Sequence, residues 1–188
     1  LRKNKIIPFA IFAFFPIILT PIWVSNFSGG IFVWAKIYSL IIGALWILLL
    51  RFTYLGEKRW AYWVMWGLLI VNILEATVTD ALTITIANYL NVIAGVLLIF
   101  TLDPLKKVFI DKKNKTKDFL WPSLSFQWII AYSIWNITFV YLNFPSTTLR
   151  HIALLAVPLI VAYYIKGVWI QTRAFTLAAY FIAAFTFS

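Results

Sequence analysis

The stretch Val71–Phe100 reads VNILEATVTDALTITIANYLNVIAGVLLIF. It is almost wholly lipid-soluble, yet it carries Asn72, Glu75, Asp80, Asn88 and Asn91. A polar group placed in hydrocarbon costs free energy unless another group satisfies it. Two questions decide the fold: whether the surrounding medium is lipid, and what these polar groups meet.

Composition answers the first. Of 188 residues, 63% are hydrophobic and 12% charged, with a mean hydropathy of +0.92. A soluble domain carries about 25% charged residues. So few polar side chains could not cover a globular surface, and lipid is the expected solvent. Every long segment is apolar, so residues 1–188 read as a single transmembrane domain. Cysteine is absent, which excludes disulfide scaffolds, thiolate metal sites and cysteine nucleophiles. The chain opens on Leu1 and stops within an apolar run, so trimmed ends are expected.

A spanning helix needs about 20 predominantly apolar residues. The candidate spans are 6–24, 31–50, 60–78, 83–102, 124–142, 149–165 and 174–188, an all-α, polytopic membrane bundle of seven transmembrane helices. Pro8, Pro16 and Pro21 predict a kinked or partly discontinuous first span, and Pro158 a kink in the sixth. The first span has the basic flank Arg2, Lys3 and Lys5, but no small-residue cleavage site follows it. It therefore reads as a retained helix rather than a signal peptide. The segment 26–30 reads as a turn.

The net charge of +10 would point to nucleic acid in a soluble protein. Here the cations fall in loops, where they set orientation. With a cytoplasmic N-terminus, the inner side collects Arg2, Lys3, Lys5, Arg51, Lys58, Arg59, Lys106, Lys107, Lys112, Lys113, Lys115, Lys117, Lys166 and Arg173. Only Arg150 falls outside, with Lys36 inside a helix, so the topology is N-in, C-out. No basic face is interleaved with stacking aromatics, and no nucleic-acid partner is expected. In the loop 103–123, Leu105, Val108, Phe109, Phe119, Leu120 and Trp121 flank a basic middle. That pattern suits contact with anionic lipid headgroups; the alternative is a solvated loop that only orients the protein. Trp and Tyr near the span ends, such as Trp23, Trp60, Tyr141 and Trp169, read as interfacial anchors.

The polar residues share a depth. At 1.5 Å per residue, Lys36 lies roughly 7 Å below the outer end of its span and Glu75 roughly 5 Å below its own. Asn88 lies at a similar level, Asn91 about one turn deeper, and Asn136 roughly 9 Å below Leu142. Asp80 falls in the turn between the third and fourth spans, while Arg150 and His151 open the sixth. Asn72 and Glu75 are three residues apart, as are Asn88 and Asn91, so each pair shares a helix face. Tyr132, Asn136 and Asn143 form a further stripe. These stripes should face the bundle interior, because lipid would leave them unpaired. Trp34 and Trp135 are placed to wall such a site. The bland alternative is that the asparagines glue helices together and a Lys36–Glu75 pair fixes packing.

Other chemistry lacks support. There is one His and no Cys, and no carboxylate spacing resembles a metal motif, so no metal or cofactor is expected. A Ser–His–Asp triad would need Ser146, His151 and Asp80 without a nucleophile elbow. There is no phosphate-binding glycine loop, and the last span has no lysine for retinal. In size, basic inner loops and outward-facing pocket the chain is similar to the substrate-binding subunits of vitamin uptake systems. Those have six spans and a small-residue stripe on the first helix; here Ala10 and Ala13 lie among Phe residues. The Ile/Lys/Asn/Phe-rich composition points to a bacterial cytoplasmic membrane.

The expected function is binding or transport of a small polar or anionic solute in an outward-facing pocket. Lys36 would engage the anionic group, Glu75 would be its counter-ion or a proton carrier, and Asn88, Asn91 and Asn136 would orient the ligand. One alternative is a non-catalytic scaffold or sensor subunit that meets a membrane-protein partner, or a second copy of itself, through the 103–123 loop. Another is a membrane enzyme acting on a lipid-linked substrate with Glu75 as general base.

Overall fold

The computed structural model describes residues 4–26 and 30–187. Residues 27–29 of the expected turn, and Arg2 and Lys3 of the basic flank, lie outside the described residues. The protein is helical, with seven helices among the described residues. Helix α1 is assembled from Ile6–Phe9, a π-helical stretch Ala10–Phe14, and Phe15–Asn26. Then follow α2 (Ile31–Phe52), α3 (Arg59–Ala81), α4 (Ile86–Phe100), α5 (Phe126–Asn143), α6 (Thr148–Tyr164) and α7 (Trp169–Thr186). A small antiparallel hairpin, β1 (Phe109–Ile110) and β2 (Phe119–Leu120), interrupts the run between α4 and α5, with Phe109 opposite Leu120.

Among the described residues four helices are long and apolar enough to cross a membrane: Ile6–Ser25, Trp34–Phe52, Arg59–Ala81 and Pro145–Tyr164. The other three of the seven expected spans depart from that standard for local reasons. Helix α4 has 15 residues, about 22 Å, because Thr85 caps it by accepting from Asn88 N at 3.1 Å. Helices α5 and α7 have 18 residues each but carry amides and a guanidinium along their length. The outer surface of the bundle is nonetheless apolar, with Ile17, Ile18, Leu90, Ile93, Leu97, Ile134 and Ile160 exposed. A water-soluble monomer rarely tolerates so broad an apolar surface.

The first helix answers its three prolines by a change of winding rather than a break. A proline lacks the N–H and crowds the carbonyl four residues back. The π-helical stretch ends two residues before Pro16 and contains Phe12, the residue whose carbonyl would clash. Pro158 sits within a continuous α6.

Neighbouring helices meet around a closed circuit, α2 to α3, α4, α5, α6, α7 and back to α2, while α1 packs outside on α2 and α7. One apolar cluster surrounds Trp128, Tyr132, Trp135 and Trp169; a second, around Phe12, Ile37 and Ala178, joins α1 to α2 and α7. Helix α4 approaches its neighbours closely at Gly95, where a Cβ would collide with Thr77 Oγ1 and lie 3.0 Å from Trp135 Nε1. Small residues permit such contacts between membrane helices.

The 103–123 segment is folded onto the bundle, so that most of its apolar flanks meet protein. Leu105, Ile110, Phe119 and Trp121 are buried in the protein, whereas Phe109 is exposed. Arg51, expected in a loop, is buried at the end of α2 and donates to Lys117 O at 3.0 Å and Thr116 O at 2.7 Å. Asp118 accepts from Gln171 Nε2 at 2.8 Å, and Gln171 Oε1 accepts from Phe119 N at 2.8 Å. Trp121 N donates to Gly167 O at 2.8 Å. Gly167 has φ +88°, and a Cβ there would press on the Trp121 backbone, so this close approach requires glycine. The segment's lysines, from Lys106 to Lys117, remain exposed.

Candidate functional site

A cavity of about 360 Å³ lies among α2, α3, α5, α6 and α7. Its walls are largely apolar, with Phe139, Val140, Leu154, Leu177 and Phe181, but Lys36, Asn72, Glu75, Asn136, His151 and Arg173 also line it. Phe144 and Thr147, at the α5–α6 connection, carry the lining to one end of the bundle. A concave apolar space with a few converging polar groups is the usual form of a small-molecule site.

The polar groups come from separate helices. Lys36 of α2 donates to Glu75 Oε2 of α3 at 2.7 Å, and each side chain is 24% exposed. On α5, Asn136 Oδ1 accepts from Arg173 Nη2 at 3.1 Å and lies 2.6 Å from His151 Nε2. Since an amide oxygen can only accept, His151 Nε2 carries the proton in this arrangement. Tyr132 OH donates to Asn72 Oδ1 at 3.2 Å and accepts from Arg173 Nη2 at 3.4 Å. Asn72, Tyr132, Arg173, Asn136 and His151 thus form one chain of hydrogen bonds across α3, α5, α6 and α7.

Asp80 belongs to a different place. It is wholly buried in the last turn of α3, and its two carboxylate oxygens accept from three amides. Asn88 Nδ2 and Asn143 Nδ2 reach Oδ1 at 2.7 Å each, and Asn91 Nδ2 reaches Oδ2 at 2.6 Å. This cluster ties α3, α4 and α5 together and does not line the cavity. Asp80, Asn88 and Asn91 therefore stand apart from the Lys36–Glu75 pair despite similar depth, because matched height leaves the rotation of each helix undetermined.

The remaining expected site residues are distributed likewise. Trp135 is buried beside α4 and donates from Nε1 to Asn91 O at 3.0 Å, away from the cavity. Trp34 packs against Phe185, a lining residue, with ring centres 6.1 Å apart. Arg150 is exposed and does not reach the lining.

Arg173 is the cavity-lining residue that loop-based reading misplaces. It lies in the first turns of α7, which begins at Trp169 rather than Ala174, and is 6% exposed. The apolar residues Trp169, Ile170, Ala174 and Phe175 around it recur at helical spacing, a signal that the helix starts earlier. Outside the spans, Asp103 holds the hairpin segment. Burial raises its carboxyl pKa, but hydrogen bonds from Trp121, Ser123 and the Lys106 N–H, with the Lys106 charge, outweigh this and leave it lowered. Among the described residues no cluster of His, Cys, Asp and Glu could hold a metal ion.

Fold and site define a helical protein with four helices fit to cross a membrane and a polar-floored cavity between its helices. The chain belongs to the family described as Family of unknown function (DUF5692), matched over residues 1–188. No curated protein and no solved structure matches it. The likeness to vitamin-binding subunits therefore stays at the level of size and charge.

Proposed function

We propose that the chain is a multi-pass, seven-span protein of a bacterial cytoplasmic membrane, N-in and C-out, whose cavity opens outward and binds or carries a small polar or anionic solute. The observation that carries this reading is the convergence of Lys36, Glu75, Asn72, Asn136, His151 and Arg173 on one cavity with otherwise apolar walls. Polar and charged groups inside a membrane bundle mark solute or ion pathways. Lys36 and Glu75 form a charge pair partway into the cavity, where Glu75 can serve as the counter-ion of Lys36 or carry a proton.

Orientation rests on the exposed cations. Lys58, Arg59, the hairpin lysines and Lys166 gather at one end, tied there by the 2.7 Å Lys112–Glu57 pair and the Trp121–Gly167 bond. At the opposite end Arg150 is exposed and Lys36 is paired. Since the sequence has no cysteine, single-cysteine labelling reads this directly. Asn114→Cys should react only from the cytoplasm and Ile84→Cys only from outside.

For function, uptake or binding across a panel of small solutes should be measured in proteoliposomes. Glu75→Gln and Lys36→Met should each impair the activity found; intact activity in both variants would sink the proposal.

A second reading is favoured by the hairpin itself. It is docked by a buried arginine yet presents four exposed lysines and Phe109 outward. Such a surface suits anionic headgroups or an acidic face of a membrane partner. Co-purification of a stoichiometric partner that is lost when those lysines become glutamine would support it.

A further inference from the structure

We infer that Arg173 is the anion anchor of this cavity, and that the solute is an amphiphilic anion, a carboxylate or phosphoryl head on a compact apolar body. The inference rests on the reading of the cavity as a solute site and names the class of solute.

Lys36 is not free for that role, because Glu75 already offsets its charge at 2.7 Å. Asp80 is removed as well, enclosed by three asparagine amides. Arg173 is different. Its Nη2 donates to Asn136 and Tyr132, but its Nε and Nη1 have no hydrogen-bond partner. Among the described residues no carboxylate lies within 4.0 Å of its guanidinium. Those two nitrogens carry three N–H donors, and a guanidinium stays charged in a protein. The guanidinium lies 5.6 Å from the Tyr132 ring centre, but a buried cation with unsatisfied donors and no carboxylate counter-ion is costly, so an anion offering oxygen acceptors gains on both counts.

Placement agrees. Arg173 stands between the main cavity and an adjoining one of about 90 Å³, lining both, as do Asn72, Glu75 and Leu177. With Lys36 and Glu75 offsetting one another, Arg173 leaves the lining one positive charge in excess. Phe139, Val140, Leu154 and Phe181 offer an apolar surface to the rest of the molecule. A head that accepts hydrogen bonds and a body that prefers hydrocarbon meet both halves of that lining.

The test is calorimetric titration of the protein in lipid nanodiscs with four probes of similar shape: 3-phenylpropanoate, 2-phenylethylphosphonate, 3-phenylpropanamide and 3-phenylpropylammonium. At least one anion should bind about tenfold or more tightly than the amide and the ammonium, the preference expected of one charge-assisted contact. The order of the two anions distinguishes a carboxylate from a phosphoryl head. Arg173→Gln should erase the preference and Arg173→Lys should retain part of it. If the amide or the ammonium binds as well as both anions, the inference is overturned while the cavity reading stands. If Arg173→Gln keeps the anion preference, the anchor is overturned. If none of the four binds, the amphiphilic-anion inference is overturned, and the solute-site reading is decided by its own test at Lys36 and Glu75. Should Arg173→Gln fail to fold, the wild-type ranking and Arg173→Lys decide.

Discussion

Lys36 Nζ and Glu75 Oε2 meet at 2.7 Å across the α2–α3 boundary, with about a quarter of each side chain exposed (24% and 24%). A pair in that environment lies between a surface ion pair and a fully buried one. Lys36→Met or Glu75→Gln alone should therefore cost about 1–2 kcal/mol. The double variant should cost less than the two single losses together, because neither charge is left alone. Unfolding of the four proteins in a double-mutant cycle measures this coupling; strictly additive losses would mean the contact contributes nothing.

Asp80 should be more sensitive. Three amides from α4 and α5 converge on its buried carboxylate. Asp80→Ala would leave the Asn88 and Asn91 amides without an acceptor, with Asn143 keeping only Phe139 O at 2.9 Å, and should destabilise the protein by about 3 kcal/mol or more. Asn143→Ala removes one donor, leaves the other two in place, and should cost about 1–2 kcal/mol. Thermal unfolding in detergent checks the order, and equal losses would show that the cluster is not centred on Asp80.

Packing at the α3–α4–α5 contact offers a test without charge. Because a Cβ at Gly95 would meet Thr77 and the Trp135 indole, Gly95→Val should force the helices apart and cost about 2–3 kcal/mol. At Gly67 a Cβ meets nothing within 4 Å, so Gly67→Ala should be neutral or slightly stabilising. Melting temperatures of the two variants separate a steric cause from a general intolerance of side chains at glycine.

The docked hairpin should respond to acid. The folded Asp103 carboxyl is held below its ordinary 3.8. Its contribution to stability is thus present above that value and is lost as pH falls through the folded pKa. Loosening should appear below about pH 4 as a change in tryptophan emission, since Trp121 Nε1 donates to Asp103 Oδ1 at 3.1 Å. Asp103→Asn should remove the transition. Glu57→Gln should leave it, because the Glu57–Lys112 pair lies on the open surface.

Much of this was legible from residue spacing. Periodic apolar runs locate the helices to within a few residues, and matched depth places Lys36 opposite Glu75. Depth fixes a height along a helix and not a rotation about it. For that reason Asn88 and Asn91 look equivalent to Asn136 in sequence, yet one pair closes on Asp80 and the other residue lines the cavity. Arg51 and Arg173 sit near predicted loops, where a cation ordinarily sets orientation. Tertiary contacts with Thr116, Lys117, Asn136 and Tyr132 bury them instead. The hairpin's fold was likewise hidden, since its buried Phe119 and Trp121 are as consistent with a lipid surface as with a protein one.

The central claim is that water and solute reach a cavity between these helices. Ala184 lines that cavity on α7, while Ile93 on α4 is exposed on the apolar outer surface. With each changed singly to cysteine in nanodiscs, a charged, water-soluble thiol reagent should modify Ala184→Cys readily and leave Ile93→Cys unmodified. An Ala184→Cys as inert as Ile93→Cys would contradict the account.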